Sequence, residues 1–480
     1  MTILDAMDDP ALFADTFGAE SWTPWRWALA AIFALVCPNA TALDLYRACT
    51  GRSVWPTRPA REVWALIGRR GGKSRIAALI AVWLACFRSY RLAVGERGVV
   101  LVVAADRSQA KVTLNYVRAL LAHRMLSPLV ASDRAESIDL TNGITIAIAT
   151  ASYRTIRGRT VIGAVLDEVC FWRSDDAAEP DLEVVNAIRP AMATVPDALI
   201  VGISTPYSRR GVAWRAFSKH HGRDESDTLV WRAPSLVMNP SLAPEVVEAA
   251  RAEDPSAAAA EWDAEFRSDL EALLTREAVE ACVEPGRHEL APVAGVSYSA
   301  FCDPSGGSAD SMTLAVAHRE GDAAVLDAIR ERWPPFSPEA VVSEFAELLR
   351  SYSIGRVTSD RYASGFHAEL WEKQGIRHFP AEKPKSDLYR EIVPVINSTR
   401  AQLLDHPRLI AQLVGLERRT ARGGRDTIDH GPGAHDDLAN AAAGVVSLVL
   451  GRREATWEQL YGVEHEVIRV DGDEGWQRLT

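Results

Sequence analysis

The amino-acid sequence predicts an α/β protein of two successive domains. Its N-terminal half alternates continuous apolar segments with helical ones, the pattern of a mostly parallel sheet covered by helices. Its C-terminal half has three apolar strands in close succession, then a helix and a fourth strand, which is typical of a different α/β fold. At 480 residues the chain is long enough to bury two cores.

The first predicted strand leads into a glycine-rich turn. Residues 1–50 are predicted to be helical, and Val63–Ile67 is a run of strand-forming residues. The turn 68–74 follows, and an apolar helix continues to Phe87. Such a turn presents backbone N–H groups and a helix N-terminus to an anion, so we predict a P-loop nucleotide-binding domain.

Each residue type in the turn has a chemical role. Lys73 can reach the β- and γ-phosphates, and the Ser74 hydroxyl can ligate Mg²⁺. Three residues, not the usual four, separate the first glycine from Gly-Lys, and two of them are Arg69 and Arg70. The predicted nucleotide-binding residues of the turn are Gly68, Gly71, Gly72, Lys73 and Ser74.

Three further strands are predicted at Gly98–Ala105, Ile144–Ala149 and Val161–Leu166. The third ends in two carboxylates, a weak signal by itself because any buried strand can end in acids. Placed after a phosphate loop in an alternating β/α pattern, however, the acidic pair indicates the second half of an ATPase site. Asp167 would hold Mg²⁺, directly or through water, and Glu168 would orient and deprotonate the attacking water.

One more strand, Leu199–Ile203, ends in Ser204 and Thr205, whose hydroxyls could sense the γ-phosphate or simply form a turn. Together these strands predict an open, mostly parallel sheet within residues 55–210. From residue 214 to 274 the sequence predicts polar helix and linker in place of strands.

The second domain begins with three hairpin-linked strands, Tyr298–Asp303, Met312–His318 and Ala323–Arg330. A helix capped at Ser337 and a fourth strand, Arg356–Asp360, follow. The order β-β-β-α-β, with acids at the tips of strands one and four, predicts a ribonuclease H-like fold.

Carboxylates could form a metal centre in this domain. Asp303 and Asp360 end strands, and Asp436 and Asp437 precede an apolar helix, 438–450. Converging carboxylates repel one another unless a cation neutralises them, and two Mg²⁺ or Mn²⁺ ions would activate water for phosphodiester hydrolysis. In the alternative, the first two acids are turn residues and the last two favour a helix N-terminus. The roles of Asp310 and His435 stay open.

Charge is unevenly distributed along the chain, which has a formal net charge of −11. Residues 51–97 carry ten Lys/Arg against two acidic residues, whereas residues 454–480 carry seven acidic residues against two arginines. A basic segment beside a nucleotide loop suits a polyanion such as DNA, or equally a solvated face with arginines that bind ATP.

From about Trp22 to Leu450 the chain resembles the large terminase subunit of tailed bacteriophages. The resemblance is carried by Gly-Arg-Arg-Gly-Gly-Lys-Ser (68–74), Val-Leu-Asp-Glu (165–168), Ser-Thr-Pro (204–206) and the acids Asp303, Asp360, Asp436 and Asp437. It implies an ATPase that drives DNA packaging and a C-terminal nuclease, with Arg69 or Arg70 taking part in ATP hydrolysis. Arg26 stands where that family reads adenine with a glutamine, which is a departure.

The resemblance implies ATP and Mg²⁺ as cofactors, with Mg²⁺ or Mn²⁺ in the nuclease site. Implied partners are double-stranded DNA, a portal protein and a small terminase subunit. The family assembles as a homo-oligomeric ring on the portal, with a monomer in solution as the alternative. Six scattered cysteines, no secretory signal and no apolar run long enough to cross a bilayer predict a cytoplasmic site of action and no membrane. The resemblance implies that this is the host cytoplasm, with transient docking on the procapsid.

The predicted domains are an N-terminal helical segment (1–50), the ATPase core (51–213), a lid and linker (214–290), the nuclease (291–452) and an acidic tail (453–480). Two alternative functions remain. One is a helicase-like, DNA-dependent ATPase whose second domain only docks. The other is a P-loop enzyme acting on small phosphoryl acceptors, which would not need the acid triad.

Overall fold

The computed structural model describes residues 1–150, 156, 158–172, 180–267, 269–308, 310–360, 364–419, 426–431 and 434–451. The predicted acidic tail, 453–480, lies outside the described residues. None of the described helices is long and apolar enough to cross a membrane.

Strands and helices alternate through most of the chain. The strands are β1 Glu62–Ile67, β2 Gly98–Ala104, β3 Val130–Asp133, β4 Ser137–Leu140, β5 Ile144–Thr150, β6 Thr160–Asp167, β7 Leu199–Ser204, β8 Thr228–Ala233, β9 Leu270–Ala272, β10 Tyr298–Asp303, β11 Met312–Glu320, β12 Ala323–Arg332, β13 Arg356–Ser359, β14 Arg377–Pro380, β15 Ala401–Gln402, β16 Leu416–Arg419 and β17 Thr427–His430. The helices are α1 Ile3–Asp8, α2 Ala14–Phe17, α3 Thr23–Ile32, α4 Ala40–Thr50, α5 Lys73–Cys86, α6 Arg107–Leu121, α7 Pro180–Ala191, α8 Gly211–His220, α9 Ser235–Met238, α10 Pro244–Glu253, α11 Pro255–Glu261, α12 Arg276–Glu280, α13 Pro338–Ser351, α14 Ser364–Lys373, α15 Lys385–Asn397, α16 Pro407–Gly415 and α17 Asp437–Gly451.

The chain forms two compact units. Among the described residues, the first comprises Met1–His288, Lys385–Thr399 and Asp405–Asn440, and the second Glu289–Pro384, Arg400–Leu404 and 441–451. Part of the stretch predicted as the nuclease domain therefore belongs to the same compact unit as the phosphate loop.

The first unit is built on an eight-stranded sheet in the order β3-β4-β5-β2-β6-β7-β1-β8. Strands β5, β2, β6, β7, β1 and β8 are parallel, and β4 is antiparallel to β5. The central strands are buried along almost their whole length, as expected for a sheet covered on both faces. The predicted mostly parallel α/β fold is confirmed. Because β6, β7 and β1 are neighbours, their carboxyl ends meet at one edge.

The prediction that residues 214–274 contain no strands is wrong. Strand β8 pairs in parallel with β1, and β9 pairs with β16 in a three-stranded sheet of order β17-β16-β9. Thr228-Leu-Val-Trp in β8 is rich in β-branched and aromatic residues, and its burial beside β1 overrides the helical character of the surrounding sequence.

The second unit contains a six-stranded sheet of order β14-β13-β10-β11-β12-β15. Strands β10, β11 and β12 form the predicted antiparallel meander, and β13 is parallel to β10. Helix α13 packs Val342, Phe345 and Leu349 into the core on this sheet. The predicted β-β-β-α-β arrangement is confirmed.

Candidate functional site

The glycine-rich turn follows β1 and is closely packed. A Cβ on Gly68 would lie 2.2 Å from Ser235 Oγ and 2.5 Å from the Trp262 carbonyl oxygen, so only glycine fits there. Gly72 has a φ of 86°, and Arg70 has a φ of 60°, which is uncommon for a residue with a side chain. The turn is thus held in a conformation that its sequence by itself would rarely adopt.

Donors from other elements hold the carbonyl groups of this turn. Trp25 Nε1 donates to the Gly71 oxygen at 2.6 Å, Ser235 Oγ to the Arg69 oxygen at 2.6 Å, and Asn239 Nδ2 to the Arg70 oxygen at 2.9 Å. With these carbonyls occupied, the turn is preorganised before any ligand binds.

Lys73 begins α5 and joins the turn to the ends of two neighbouring strands. Its Nζ donates to the Ile67 oxygen and to Thr205 Oγ1, each at 2.9 Å, and lies 3.7 Å from Glu168 Oε1. Burial lowers the pKa of Lys73, whereas Glu168 and Asp167 act in the opposite direction. One buried cation therefore contacts both the predicted sensor and the predicted base.

The Glu168 carboxylate is held from the tip of β7. Thr205 N donates to Glu168 Oε2 at 3.2 Å, and Ser204 Oγ lies 3.4 Å from the same oxygen. Ser204 Oγ also accepts from Cys170 N at 3.1 Å. Glu168 has left-handed backbone geometry, with a φ of 51°, which is strained for this residue type and typical of functional turns.

Asp167 is the buried acid of the pair, with 3% of its surface exposed. Its Oδ2 accepts a hydrogen bond from Thr113 Oγ1 at 2.6 Å. Its Oδ1 is buried and has no hydrogen-bond partner among the described residues. Burial raises the pKa of Asp167 to about 6, and the Thr113 hydrogen bond opposes that rise.

A divalent cation fits this arrangement. An orphaned, buried carboxylate oxygen is costly unless a ligand satisfies it, and Mg²⁺ is bound by oxygen ligands. Asp167 and Ser74, the second residue of α5, are the residues that would hold the ion. Thr113, which sequence reasoning missed, positions the acid.

The arginines have different surroundings. Arg69 is exposed, and its Nε lies 3.6 Å from Glu261 Oε1. Arg70 is also exposed, so the geometry assigns neither of them to the phosphate. Arg26 forms an ion pair with Asp8 at 2.6 Å and donates to the Phe17 oxygen at 3.0 Å, which gives it a structural role.

In the second unit two predicted nuclease acids are neighbours. Cys302 of β10 and Ser359 of β13 pair in the parallel register, and the next residue along each strand is Asp303 and Asp360 respectively. Both acids therefore stand at the carboxyl ends of adjacent parallel strands. Asp310 is exposed in the turn before β11.

The other two predicted acids lie in the first unit. Asp436 is 4% exposed, accepts a hydrogen bond from Tyr389 Oη at 2.8 Å and lies 2.7 Å from Lys385 Nζ. Asp437 is the first residue of α17, and His435, before it, is exposed. That all four acids share metal ions stays a prediction.

Asp436 belongs to a cluster that sequence reasoning missed. Ligand atoms of Asp429, His430 and Asp436 all lie within 4.8 Å of one another. His430 Nδ1 lies 2.9 Å from the Gly431 carbonyl oxygen, which can only accept, so Nδ1 carries a proton and, in the neutral imidazole, Nε2 is the nitrogen with a lone pair for a metal. Lys385 Nζ lies 3.3 Å from Asp429 Oδ1 and supplies a positive charge to the same cluster.

No known protein family and no curated protein matches the chain in sequence. Among solved structures, the chain is similar to the large terminase of bacteriophage HK97, with 16% identity and a TM-score of 0.38, over 81% of this chain and 91% of that chain. It is similar to the large terminase of a thermophilic bacteriophage in complex with ADP, with 13% identity and a TM-score of 0.37, over 82% and 94%. It is also similar to the large terminase nuclease of another thermophilic phage, G20c, with bound magnesium, with 14% identity and a TM-score of 0.33, over 37% and 98%.

Proposed function

We propose that this chain is a subunit of a viral DNA-packaging motor. ATP hydrolysis would drive double-stranded DNA into a procapsid, and a metal-dependent endonuclease centre would cut concatemeric DNA. The observation that carries the proposal is the set of contacts by which Lys73 joins the phosphate loop to Thr205 and Glu168.

The residues divide the ATPase chemistry among them. Lys73 binds the phosphates, and Glu168 accepts a proton from the attacking water because its carboxylate is already oriented by Thr205 N. Mg²⁺, held by Ser74 and Asp167, would neutralise the charge of the transferred phosphate. Thr205 contacts both the Lys73 ammonium and the Glu168 carboxylate, so a change at the phosphate is transmitted to the β7 tip.

The ATPase proposal is tested with Glu168→Gln. Removing the general base should lower ATP turnover by about 10²–10⁴-fold while a fluorescent ATP analogue still binds. Glu62→Gln is the matched control, because it neutralises a glutamate at the end of β1 that lies away from the glycine-rich turn. Phosphate release is measured with and without double-stranded DNA. Wild-type turnover by Glu168→Gln would refute the proposed role, and turnover indifferent to DNA would favour a small-molecule enzyme.

The nuclease proposal rests on Asp303 and Asp360 at neighbouring strand ends and on Asp436. Asparagine variants of each should lose Mn²⁺- or Mg²⁺-dependent cleavage of plasmid DNA, since each removes a charged ligand, and should keep ATP turnover. Asp322→Asn, in the exposed turn between β11 and β12, is the control. Cleavage that survives all three changes contradicts the proposal.

One observation favours the helicase-like alternative, in which the C-terminal part only docks. The Lys385 ammonium already pairs with Asp429 and Asp436 and offsets one of their two negative charges, so that cluster can exist without a metal. DNA-stimulated ATP turnover by a wild-type chain that never cuts DNA would support this alternative.

The proposed partners follow from the same function: double-stranded DNA, a portal protein, a small terminase subunit and other copies of the chain in a ring. We place the protein in the host cytoplasm, transiently docked on the procapsid. The exposed arginines within residues 51–97, among them Arg58, Arg61 and Arg91, are the proposed DNA-facing groups. Their contribution is measured as a reduced salt dependence of DNA binding when the arginines are neutralised.

A further inference from the structure

A buried glutamate from the C-terminal half of the chain contacts the segment that follows the sensor residues. Glu417 lies in β16 and is 1% exposed. Its Oε2 accepts a hydrogen bond from Tyr207 Oη at 2.9 Å, and its Oε1 accepts from the guanidinium of Arg210. A buried carboxylate is costly unless donors satisfy it, and both of these donors come from one short segment, 207–210.

The main chain of the same segment contacts the residue that leads into β9, a strand of the same small sheet. Arg267 N donates to the Tyr207 oxygen at 2.8 Å, and Ser208 forms a parallel bridge with Arg267. Three residues after Arg267 the chain enters β9, where Ala272 pairs directly with Glu417. Tyr207 is therefore held through its backbone by Arg267, three residues before β9, and through its side chain by Glu417 of the neighbouring strand β16.

Tyr207 is two residues from the chemistry. Thr205 accepts from Lys73 at 2.9 Å and donates its N–H to Glu168 at 3.2 Å. A shift of the segment carrying Tyr207 would move Thr205 and, with it, the orientation of Glu168. Misplacement of a catalytic group by about 1 Å can cost about 10²-fold in rate.

We propose that Glu417 is a positioning residue of the ATPase site, which acts through Tyr207 and Arg210 on the Ser204–Thr205 tip. The proposal rests on the proposed ATPase function and deepens it. It makes ATP turnover depend on β16, a strand 212 residues after Thr205 in the sequence. It also links the ATPase site to the acid cluster, because Glu417 faces Asp429 across the antiparallel β16–β17 pair.

The test uses Glu417→Gln, Tyr207→Phe and the double variant in the full chain. Both single variants should lower kcat by about 5- to 30-fold, with the KM for ATP changed less than about twofold, because binding groups stay in place. The double variant should have a kcat no lower than that of the more impaired single variant, since both changes act on the same Tyr207–Glu417 contact. Glu62→Gln, which breaks the Arg189–Glu62 ion pair at the other end of β1, should leave kcat unchanged.

A purely structural role would lower the melting temperature and leave kcat at temperatures well below it unchanged, and that result overturns the proposal. Multiplicative losses in the double variant also overturn it. If Glu417→Gln fails to fold, Tyr207→Phe decides alone, because it removes a single oxygen. A wild-type chain that does not hydrolyse ATP refutes the proposed function itself, whereas an active wild type with unaffected variants refutes only this inference.

Discussion

The hydrogen bond from Thr113 to Asp167 offers a quantitative test of the proposed metal site. Thr113→Val keeps the shape of a fully buried side chain and removes the 2.6 Å bond to Oδ2. A hydrogen bond to a charged group contributes about 1.5–3 kcal/mol, which corresponds to about one to two pKa units. The pKa of Asp167, about 6 in the wild type, should therefore rise to about 7.5 in the variant.

The metal must displace a proton whenever Asp167 is protonated, so the effect depends on pH. At pH 7 about 90% of the wild-type carboxyl is ionised, against about a quarter in Thr113→Val, and apparent Mg²⁺ affinity falls about fourfold. At pH 6 the loss grows to about 15-fold, and above about pH 9 it vanishes.

The assay measures the Mg²⁺ concentration that gives half-maximal ATP turnover at pH 6, 7 and 9. The value for the variant is divided by that for the wild type at each pH, so that the effect of ATP protonation cancels. Thr50→Val is the control, because Thr50 is equally buried and donates an equally short 2.6 Å hydrogen bond to the Tyr46 oxygen, in α4. A variant-to-wild-type ratio that does not change with pH, whatever its value, refutes the metal-binding role assigned to Asp167.

The sign of the stability effect follows from the same raised pKa. A carboxyl whose pKa in the folded state is about 6 prefers to be protonated there, so its contribution to stability is present below pH 4 and lost as the pH rises to about 6. Mg²⁺ held at the proposed site would offset this loss, because a metal binds the ionised form.

Two further predictions concern packing and charge. Gly68→Ala should destabilise the chain by about 1–3 kcal/mol in thermal or urea unfolding and weaken ATP binding, because the new Cβ would lie 2.2 Å from Ser235 Oγ; unchanged stability contradicts the packing argument. Lys385→Met should raise Mn²⁺ affinity at the acid cluster about three- to tenfold, as followed by electron paramagnetic resonance, because the 2.7 Å ion pair with Asp436 no longer competes with the metal. Lys383→Met, at an exposed position, is the control, and equal or weaker Mn²⁺ binding by Lys385→Met would argue against a metal at this cluster.

Much of the proposed ATPase centre could be predicted from the sequence, because its parts are local patterns. Strand, glycine turn and helix are contiguous, and each of the acids and hydroxyls comes directly after an apolar strand. Once those strands are parallel neighbours in one sheet, Asp167 and Thr205 must lie close to Lys73. Thr113 could have been suspected from the sequence, because it is a polar residue on the apolar face of α6 that also carries Ala110, Leu114 and Val117.

Long-range contacts could not be predicted in this way. Ser235 and Asn239 hold the phosphate turn from more than 160 residues away, and Glu417 contacts Tyr207 across a separation of 210 residues. A side chain that pairs once with a distant partner has no period in the sequence. Strand β8 was missed because its burial depends on a neighbour, β1, that lies far away along the chain.

The amino-acid sequence by itself determined the two α/β folds, the phosphate turn and the strand-end acids, because hydrophobic periodicity and glycine geometry act over a few residues. Only the tertiary structure decided what holds those groups. It paired Thr113 with Oδ2 of Asp167 and left Oδ1 without a hydrogen bond among the described residues, grouped Asp429 and His430 with Asp436, and brought Glu417 to Tyr207. Such contacts depend on how whole strands and helices pack, which short stretches of sequence do not encode.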